Sequence, residues 1–243
     1  MYINIVLFLL VALVYSSAGF GGGSLYLAIL SSSGLDPSWM IAMALMCNLL
    51  VSGLGSMHFL RSQDVQLKRV WPFILLSIPF SFWASTWKID QEHFFLALAS
   101  ALTVAGLLIF FQRKTAEVSR AVPSTMVYVL VPAIGLIAGI TGIGGGVYLS
   151  PLLYLTRWGK PKEIAGASAL FIFVNSLTGL LARSGTWSYE EHHWSFWILP
   201  VAVLVGGWIG SRWSIKWLDQ NAVRMITAGI LLFAACRIFV KVL

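Results

Sequence analysis

Hydrophobic residues are concentrated in eight long segments of the chain, separated by short polar stretches. A helix needs roughly 17–25 apolar residues to cross a bilayer, and the segments are about this long or longer. They cover residues 2–33, 38–60, 70–87, 93–112, 124–156, 164–183, 195–212 and 222–240. The apolar runs are continuous, without the alternation typical of a strand. The pattern therefore predicts an all-α polytopic membrane protein.

Two of these segments are interrupted by glycine. The sequence GFGGGSLYL spans Gly19–Leu27, and GIGGGVYLS spans Gly142–Ser150. Glycine costs roughly 1 kcal/mol in a helix interior. Non-helical backbone at membrane depth is tolerated only where it is packed in protein or lines a wet cavity. We therefore expect each motif to form the tip of a broken or re-entrant helical hairpin.

The glycine motif recurs after 123 residues, about half the chain. Three further pairs recur in the same order: Asn48 with Asn175, SFWASTW at 81–87 with GWIGSRW at 207–213, and Ile-Asp-Gln at 89–91 with Leu-Asp-Gln at 218–220. These matches predict a duplicated chain. The first repeat covers residues 1–115 and the second 123–243, and together they form one integral membrane domain.

Composition supports the membrane assignment. Only 10% of the residues are charged, against about 25% in soluble domains, and the mean hydropathy is +0.85. The net charge of +7 comes from short loops between apolar segments. Lysine and arginine in such loops set the orientation of a membrane protein. We therefore expect a lipid bilayer as the partner and no nucleic acid.

The distribution of basic residues favours re-entrant hairpins. If all eight segments crossed the membrane, nine basic residues would lie on one side and seven on the other. If the two glycine segments enter and leave on one face, the split becomes twelve against four. Because cytoplasmic loops are enriched in lysine and arginine, we predict six crossing helices, two hairpins and both termini outside. Each half then has three crossings, so the halves form two inverted repeats.

The hairpin tips are candidate anion sites. Each second leg begins at a glycine motif, where free N–H groups and the helix dipole favour negative charge. Inverted halves would aim two such ends at one point near the midplane. The predicted substrate-binding residues are Gly21, Gly22, Gly23, Ser24, Asn48, Thr141, Gly144, Gly145, Gly146 and Asn175, with Ser16 and Ser17 as nearby donors.

Close packing is the alternative role for the same residue types. Glycines let membrane helices approach one another, and asparagines form hydrogen bonds between helices. We expect this role alone for Gly135-x-x-x-Gly139 and Gly206-x-x-x-Gly210. For the duplicated tips, Asn48 and Asn175 both roles stay open.

Other classes of function have little support in the sequence. The acidic residues lie in loops or at segment ends, so no metal site is expected. A nucleotide-binding loop needs a strand before the glycines and an acidic residue about 20 positions on, and Asp36 is too near. An intramembrane enzyme needs a nucleophile close to a base, but Cys47 and His58 are about 16 Å apart along a helix. We expect no enzyme activity and no cofactor.

Both glycine motifs, each with the asparagine-bearing helix that follows, resemble the TauE/SafE sulfite exporter family, also called the toluene-sulfonate uptake permease family. GGWIGSRW at 206–213 resembles the family's glycine-rich penultimate segment, although the first half has SFWAS there. The resemblance covers essentially the full length.

It implies a secondary transporter of small sulfur-containing anions, such as sulfite, thiosulfate, sulfoacetate or other organosulfonates, in the bacterial inner membrane. Transport would proceed by alternating access of the two repeats around a midplane site. A transporter of another small solute or a metal ion is the alternative. The direction of transport and the oligomeric state stay open, with a homodimer as one option.

Overall fold

A computed structural model describes residues 2–17, 21–62, 65–111, 125–156, 158–185, 197–212 and 220–242. These residues form ten helices: α1 (Tyr2–Ser17), α2 (Gly23–Leu30), α3 (Pro37–Arg61), α4 (Leu67–Ser85), α5 (Gln91–Phe111), α6 (Thr125–Thr141), α7 (Gly146–Leu155), α8 (Pro161–Arg183), α9 (Ile198–Arg212) and α10 (Gln220–Val242). The predicted all-α class is confirmed. Four helices are long and apolar enough to cross a bilayer, namely α3, α5, α8 and residues 225–242 of α10.

The long helices α3 and α8 begin in the same way. Asp36 precedes α3 and accepts a hydrogen bond from the backbone N–H of Ser38 at 2.8 Å, with Pro37 in the first turn. Glu163 of α8 accepts a hydrogen bond from the N–H of Lys160 at 3.0 Å, and Pro161 opens that helix. Proline suits the first helical position because its fixed φ matches the helix and no N–H is needed there. The two prolines, 124 residues apart, mark equivalent points of the two halves.

The first glycine segment folds back on itself as a helical hairpin. Three contacts join its legs α1 and α2: Gly22 with Val11, Tyr26 with Phe8, whose ring centroids are 4.6 Å apart, and Ser33 with Asn4, at 3.5 Å. As residue numbers rise along the second leg, those of their partners fall along the first. The legs therefore run antiparallel, and the start of α1 lies beside the end of α2.

The second glycine segment folds back in the same way. The ring of Phe73 lies 5.7 Å from that of Tyr128, near the start of α6, and 5.8 Å from that of Trp158, just beyond α7. Both ends of this segment therefore lie at the same place. At its tip Gly145 packs against Ile134. This contact reproduces that of Gly22 with Val11, since both residues are shifted by 123 positions.

Corresponding helices of the two halves run in opposite directions. Along α3 and α8 the contacts are Leu45 with Gly179, Gly55 with Ala169 and Phe59 with Gly166. Along α5 and α10 they are Phe95 with Lys241 and Gly106 with Leu232. In both pairs one residue number rises as the other falls, so each pair is antiparallel. This is the relative direction that inverted repeats require.

Each broken helix packs on a helix of the other half, with α1 against α9 and α6 against α4. Small residues allow the close approach: Gly206 and Gly210 lie against the carbonyls of Leu9 and Leu13, and Gly135 and Gly139 against those of Ser77 and Ser81. A Cβ on Gly135 would lie only 2.7 Å from the Ser77 oxygen. The packing role predicted for these two glycine pairs is confirmed.

Candidate functional site

Two helix N-termini are formed by the glycine motifs. The residues that precede α2 and α7 are Gly22, with φ of 84°, and Gly145, with φ of 77°. These left-handed conformations favour glycine because a Cβ would be strained there. The first N–H groups of a helix have no acceptor within it. Each tip therefore presents the first N–H groups of a helix.

Asn48 of α3 connects the two tips. It is fully buried, and its Nδ2 donates a hydrogen bond to the carbonyl of Ile143 at 3.0 Å. A Cβ on Gly21 would lie 2.5 Å from the Asn48 Oδ1, and one on Gly144 would lie 3.0 Å from its Nδ2. Gly23 also lies directly against the same amide. One side chain therefore touches the first tip and holds the backbone of the second.

Ile172 of α8 contacts both tips from the opposite half. A Cβ on Gly21 would lie 2.8 Å from its Cγ2, and one on Gly144 would lie 3.1 Å from the same atom. The side chain also lies directly over Gly146, the first residue of α7. Asn48 has the matching place over Gly23, the first residue of α2. The two halves therefore meet between Asn48 and Ile172.

The register of the long helices makes Ile172 the counterpart of Asn48. These residues are 124 positions apart, which is also the separation of the opening prolines Pro37 and Pro161. The contacts agree with this register, since Asn48 lies over Gly23 and Ile172 lies over Gly146. The sequence-based pairing of Asn48 with Asn175 is therefore wrong by three residues, almost one helical turn. The two asparagines match in residue type, but they do not occupy equivalent positions of α3 and α8.

Asn175 is not brought to the tips. Its Nδ2 donates to the Ser77 hydroxyl at 3.0 Å and to the Phe171 carbonyl at 2.9 Å. An amide nitrogen carries two hydrogens, so both are used. For Asn48 the contacts of the described residues show one bonded hydrogen, which leaves a second for a ligand. Asn175 joins α8 to α4, in line with the interhelical role that the sequence had left open.

Thr141 shapes the second tip from inside. Its hydroxyl donates to the Ile137 carbonyl at 2.6 Å and accepts a hydrogen bond from the backbone N–H of Ile143 at 3.4 Å. A hydroxyl has one proton to donate, and Thr141 donates it to a carbonyl of its own helix, α6. Ser16 similarly donates to the Leu13 carbonyl of its own helix at 3.3 Å. Gly19 and the side chain of Ser17 lie outside the described residues.

A small enclosed pocket lies between the tips. It is lined by residues 21–24 of the first hairpin, by Ile143 and Val147 of the second, and by Tyr15 and Ile172. Its free space is about that of one water molecule. A solute larger than a water molecule does not fit in this space.

Unpartnered polar atoms surround this point. Among the described residues, the Asn48 Oδ1 and the Ser176 Oγ are buried with no hydrogen-bond partner. A Cβ on Gly144 would lie 3.0 Å from that serine oxygen. Other buried polar atoms in the described part of the bundle, such as the Ser81 hydroxyl and the Asn175 Oδ1, also lack a partner. The two atoms at the tips are distinguished by their place beside two helix N-termini. Sequence reasoning missed Ser176, although Ser52 occupies the equivalent position 124 residues earlier.

Arg183, at the end of α8, is a buried cation that sequence reasoning did not single out. Its guanidinium donates to the Gly139 carbonyl, in the last turn of α6, and to the Gly179 carbonyl at 3.5 Å. Ser85 donates to the same Gly139 oxygen at 3.3 Å. A cation at a helix C-terminus offsets the negative end of the helix dipole. Arg183 thus neutralises the end of a helix that stops inside the bundle.

Residues that could hold a metal do not gather at this site. The part of the chain that the structure describes contains no group of three or more His, Cys, Asp or Glu side chains placed to bind an ion. Ser24 and Tyr15 are the polar side chains that line the pocket, and the Asn48 amide and the Ser176 hydroxyl lie behind the glycines of the tips. This set suits the oxygens of an anion better than a cation.

Comparisons with known proteins agree with this architecture. The model of the sulfite exporter TauE/SafE family matches residues 4–238, which includes both hairpins. The chain is 28% identical over 236 residues, 95% of each chain, to the "Probable membrane transporter protein y4hK" of Sinorhizobium fredii (strain NBRC 101917 / NGR234). No solved structure matches. The chain therefore belongs to the sulfite exporter TauE/SafE family of multi-pass membrane transporters.

Proposed function

We propose that the chain is a secondary transporter of small sulfur-containing anions in the bacterial inner membrane. Sulfite, thiosulfate, sulfoacetate and other organosulfonates are the candidate substrates. One observation carries the proposal: two helix N-termini meet at a small pocket, and the Asn48 amide, which has a spare hydrogen, lies against Gly21 and Gly23 of its lining. The family to which the chain belongs supports sulfur oxyanions as the solute.

The anion is held by neutral donors. The first N–H groups of α2 supply backbone hydrogen bonds, and the positive ends of the dipoles of both α2 and α7 add to them. Ser24, Asn48 and Ser176 supply side-chain donors. Among the described residues no lysine or arginine lines the pocket. Neutral donors suit a carrier, because a solute bound without a buried ion pair can leave again.

Alternating access follows from the direction of the helices. We infer six crossing helices and two re-entrant hairpins, arranged as inverted repeats. Arg61, Arg69 and Lys160 lie on one face of the bundle, since Arg69 is 3.6 Å from Glu163 at the start of α8. The rule for basic loops makes this face cytoplasmic. Opening towards either side then separates one hairpin from the other and exposes the pocket to that side.

Purified protein in liposomes tests the function. We expect sulfite, thiosulfate and short sulfonates to exchange across the membrane faster than in protein-free liposomes. Gly23→Ala should strongly reduce exchange because its methyl would collide with the Asn48 amide. Gly229→Ala is the matched control, since it is also a helical glycine but has no neighbour within 4 Å. Exchange no faster than in empty liposomes, or equal loss in both variants, would reject the proposed site.

A further inference from the structure

We propose that Ile172 is a specificity-determining residue, and that it makes the site prefer an anion with a small apolar substituent over a bare oxyanion. The inference rests on the proposed function and names the substrate class of the same pocket. It comes from a difference between the two halves at equivalent positions.

The first difference is between Asn48 and Ile172. Each lies over the first residue of a re-entrant helix, Asn48 over Gly23 and Ile172 over Gly146. On the first side an amide faces the helix N-terminus. On the second side the branched hydrocarbon of Ile172 covers the helix N-terminus. The N–H groups of α7 are therefore shielded from the pocket, whereas those of α2 lie beside the Asn48 amide.

The second difference also places a polar residue in the first half and an apolar residue in the second. Ser24 and Val147 are the second residues of α2 and α7, separated by the repeat offset of 123 positions, and both line the pocket. Ser24 offers a hydroxyl, whereas Val147 offers two methyl groups. Two independent replacements of a polar by an apolar residue therefore fall on the same side of one pocket.

The pocket consequently has a polar wall and an apolar wall. On the polar wall, Ser24 and the start of α2 can hydrogen-bond the oxygens of an anionic head, with the Asn48 amide packed behind Gly21 and Gly23. Val147 and Ile172, with Ile143 beside them, can contact a methyl or ethyl group. A bare oxyanion would turn some oxygens towards hydrocarbon, where they would lose water without gaining a hydrogen bond. A short alkanesulfonate places its tail there instead.

The size of the preference can be bounded. One methylene in a hydrophobic pocket changes discrimination by roughly 10-fold to 200-fold. Ethanesulfonate and sulfite share the sulfur–oxygen head and differ in the tail. At mildly acidic pH sulfite is mainly hydrogen sulfite, so both anions carry one negative charge and their comparison removes the difference in charge. We expect the wild type to exchange ethanesulfonate at least about tenfold more efficiently than sulfite.

The test is the ratio of ethanesulfonate to sulfite exchange, measured in the same proteoliposomes. A ratio does not depend on the fraction of protein that is active. Ile172→Asn and Val147→Ser give the second side the residues of the first and should lower the ratio by about tenfold each. Ile172→Val is the matched control, because it keeps a branched hydrocarbon and should leave the ratio within about twofold. Ile172→Thr, which has the shape of valine, should lower the ratio in a less disruptive way.

Each outcome decides the inference. A wild type that prefers sulfite, or a ratio unchanged in active Ile172→Asn and Val147→Ser variants, overturns it while leaving the transport function intact. If Ile172→Asn and Ile172→Thr are both inactive towards both anions while Ile172→Val is active, Ile172 serves packing, and the inference is also overturned. A wild type that moves neither anion contradicts the proposed function itself.

Discussion

The side-chain amide of Asn48 donates a hydrogen bond to the carbonyl of Ile143 at 3.0 Å. A residue of the first half thereby holds the glycine turn of the second. The same amide lies against Gly21 and Gly23 of its own half. A movement of either hairpin would therefore alter the contacts of the Asn48 side chain.

Replacing Asn48 should weaken substrate binding more than replacing Asn175. Asn48→Ala removes the amide donor that lies against Gly21 and Gly23, and a hydrogen bond to a charged ligand contributes about 1.5–3 kcal/mol. We expect the half-saturating concentration of the anion to rise by about tenfold or more. Asn175→Ala, whose amide bonds Ser77 and Phe171, is the control and should lower thermal stability with little change in affinity. Equal losses of affinity in both variants would contradict this assignment.

Gly22→Ala should destabilise the first hairpin. The left-handed conformation costs a residue with a Cβ roughly 1–2 kcal/mol, and the new methyl would also lie 2.9 Å from the Tyr26 ring. Gly34→Ala is the control, because Gly34 has φ of 67° but no neighbour within 4 Å. Thermal unfolding in detergent should show a larger loss for Gly22→Ala. The difference between the variants measures the cost of the close contact, and a Gly34→Ala loss as large as that of Gly22→Ala would disprove the crowding.

Arg61 and Lys160 should be accessible from the same side of the membrane, and Lys88 from the other. The prediction follows from re-entrant hairpins, since a fully spanning first segment of the second half would put Arg61 and Lys160 on opposite sides. Single cysteines at these positions, on a background lacking Cys47 and Cys236, can be labelled with an impermeant thiol reagent. Labelling of Arg61→Cys and Lys160→Cys from different sides would rule out the hairpin topology.

Loss of Arg183 should destabilise the second hairpin. Arg183→Gln removes a charged donor from the Gly139 carbonyl, and hydrogen bonds to charged groups contribute about 1.5–3 kcal/mol. Arg237→Gln is the control, because its exposed guanidinium bonds the Ser32 hydroxyl. The unfolding temperature should fall further for Arg183→Gln. Arg183→Lys should recover part of the loss, since it keeps the positive charge near the helix C-terminus. Identical unfolding temperatures for the two Gln variants would show that the buried charge does not stabilise the hairpin.

The hairpin tips were predictable from sequence because the signal is local. Three adjacent glycines in an apolar segment have a steep helical cost, and positive φ at Gly22 and Gly145 explains why they are there. The register of the halves was less accessible. The matching prolines Pro37 and Pro161 carry it, whereas the asparagines suggested a different offset.

The apolar members of the site could not be found from sequence. Ile172 and Val147 resemble every other hydrophobic residue in a chain that is 58% apolar. They matter because they occupy the positions in the second half that are equivalent to Asn48 and Ser24 in the first. This equivalence is visible only in the fold. Thr141 shows the reverse case, because a promising donor uses its proton on the carbonyl of Ile137.

Each broken helix packs on a helix of the other half, α1 on α9 and α6 on α4. This packing also constrains how such a chain can be assembled. A half-length chain would lack the main helix on which its broken helix packs. If the halves are inverted repeats, it would need a second copy inserted into the membrane in the opposite orientation. The present chain supplies both partners within a single polypeptide.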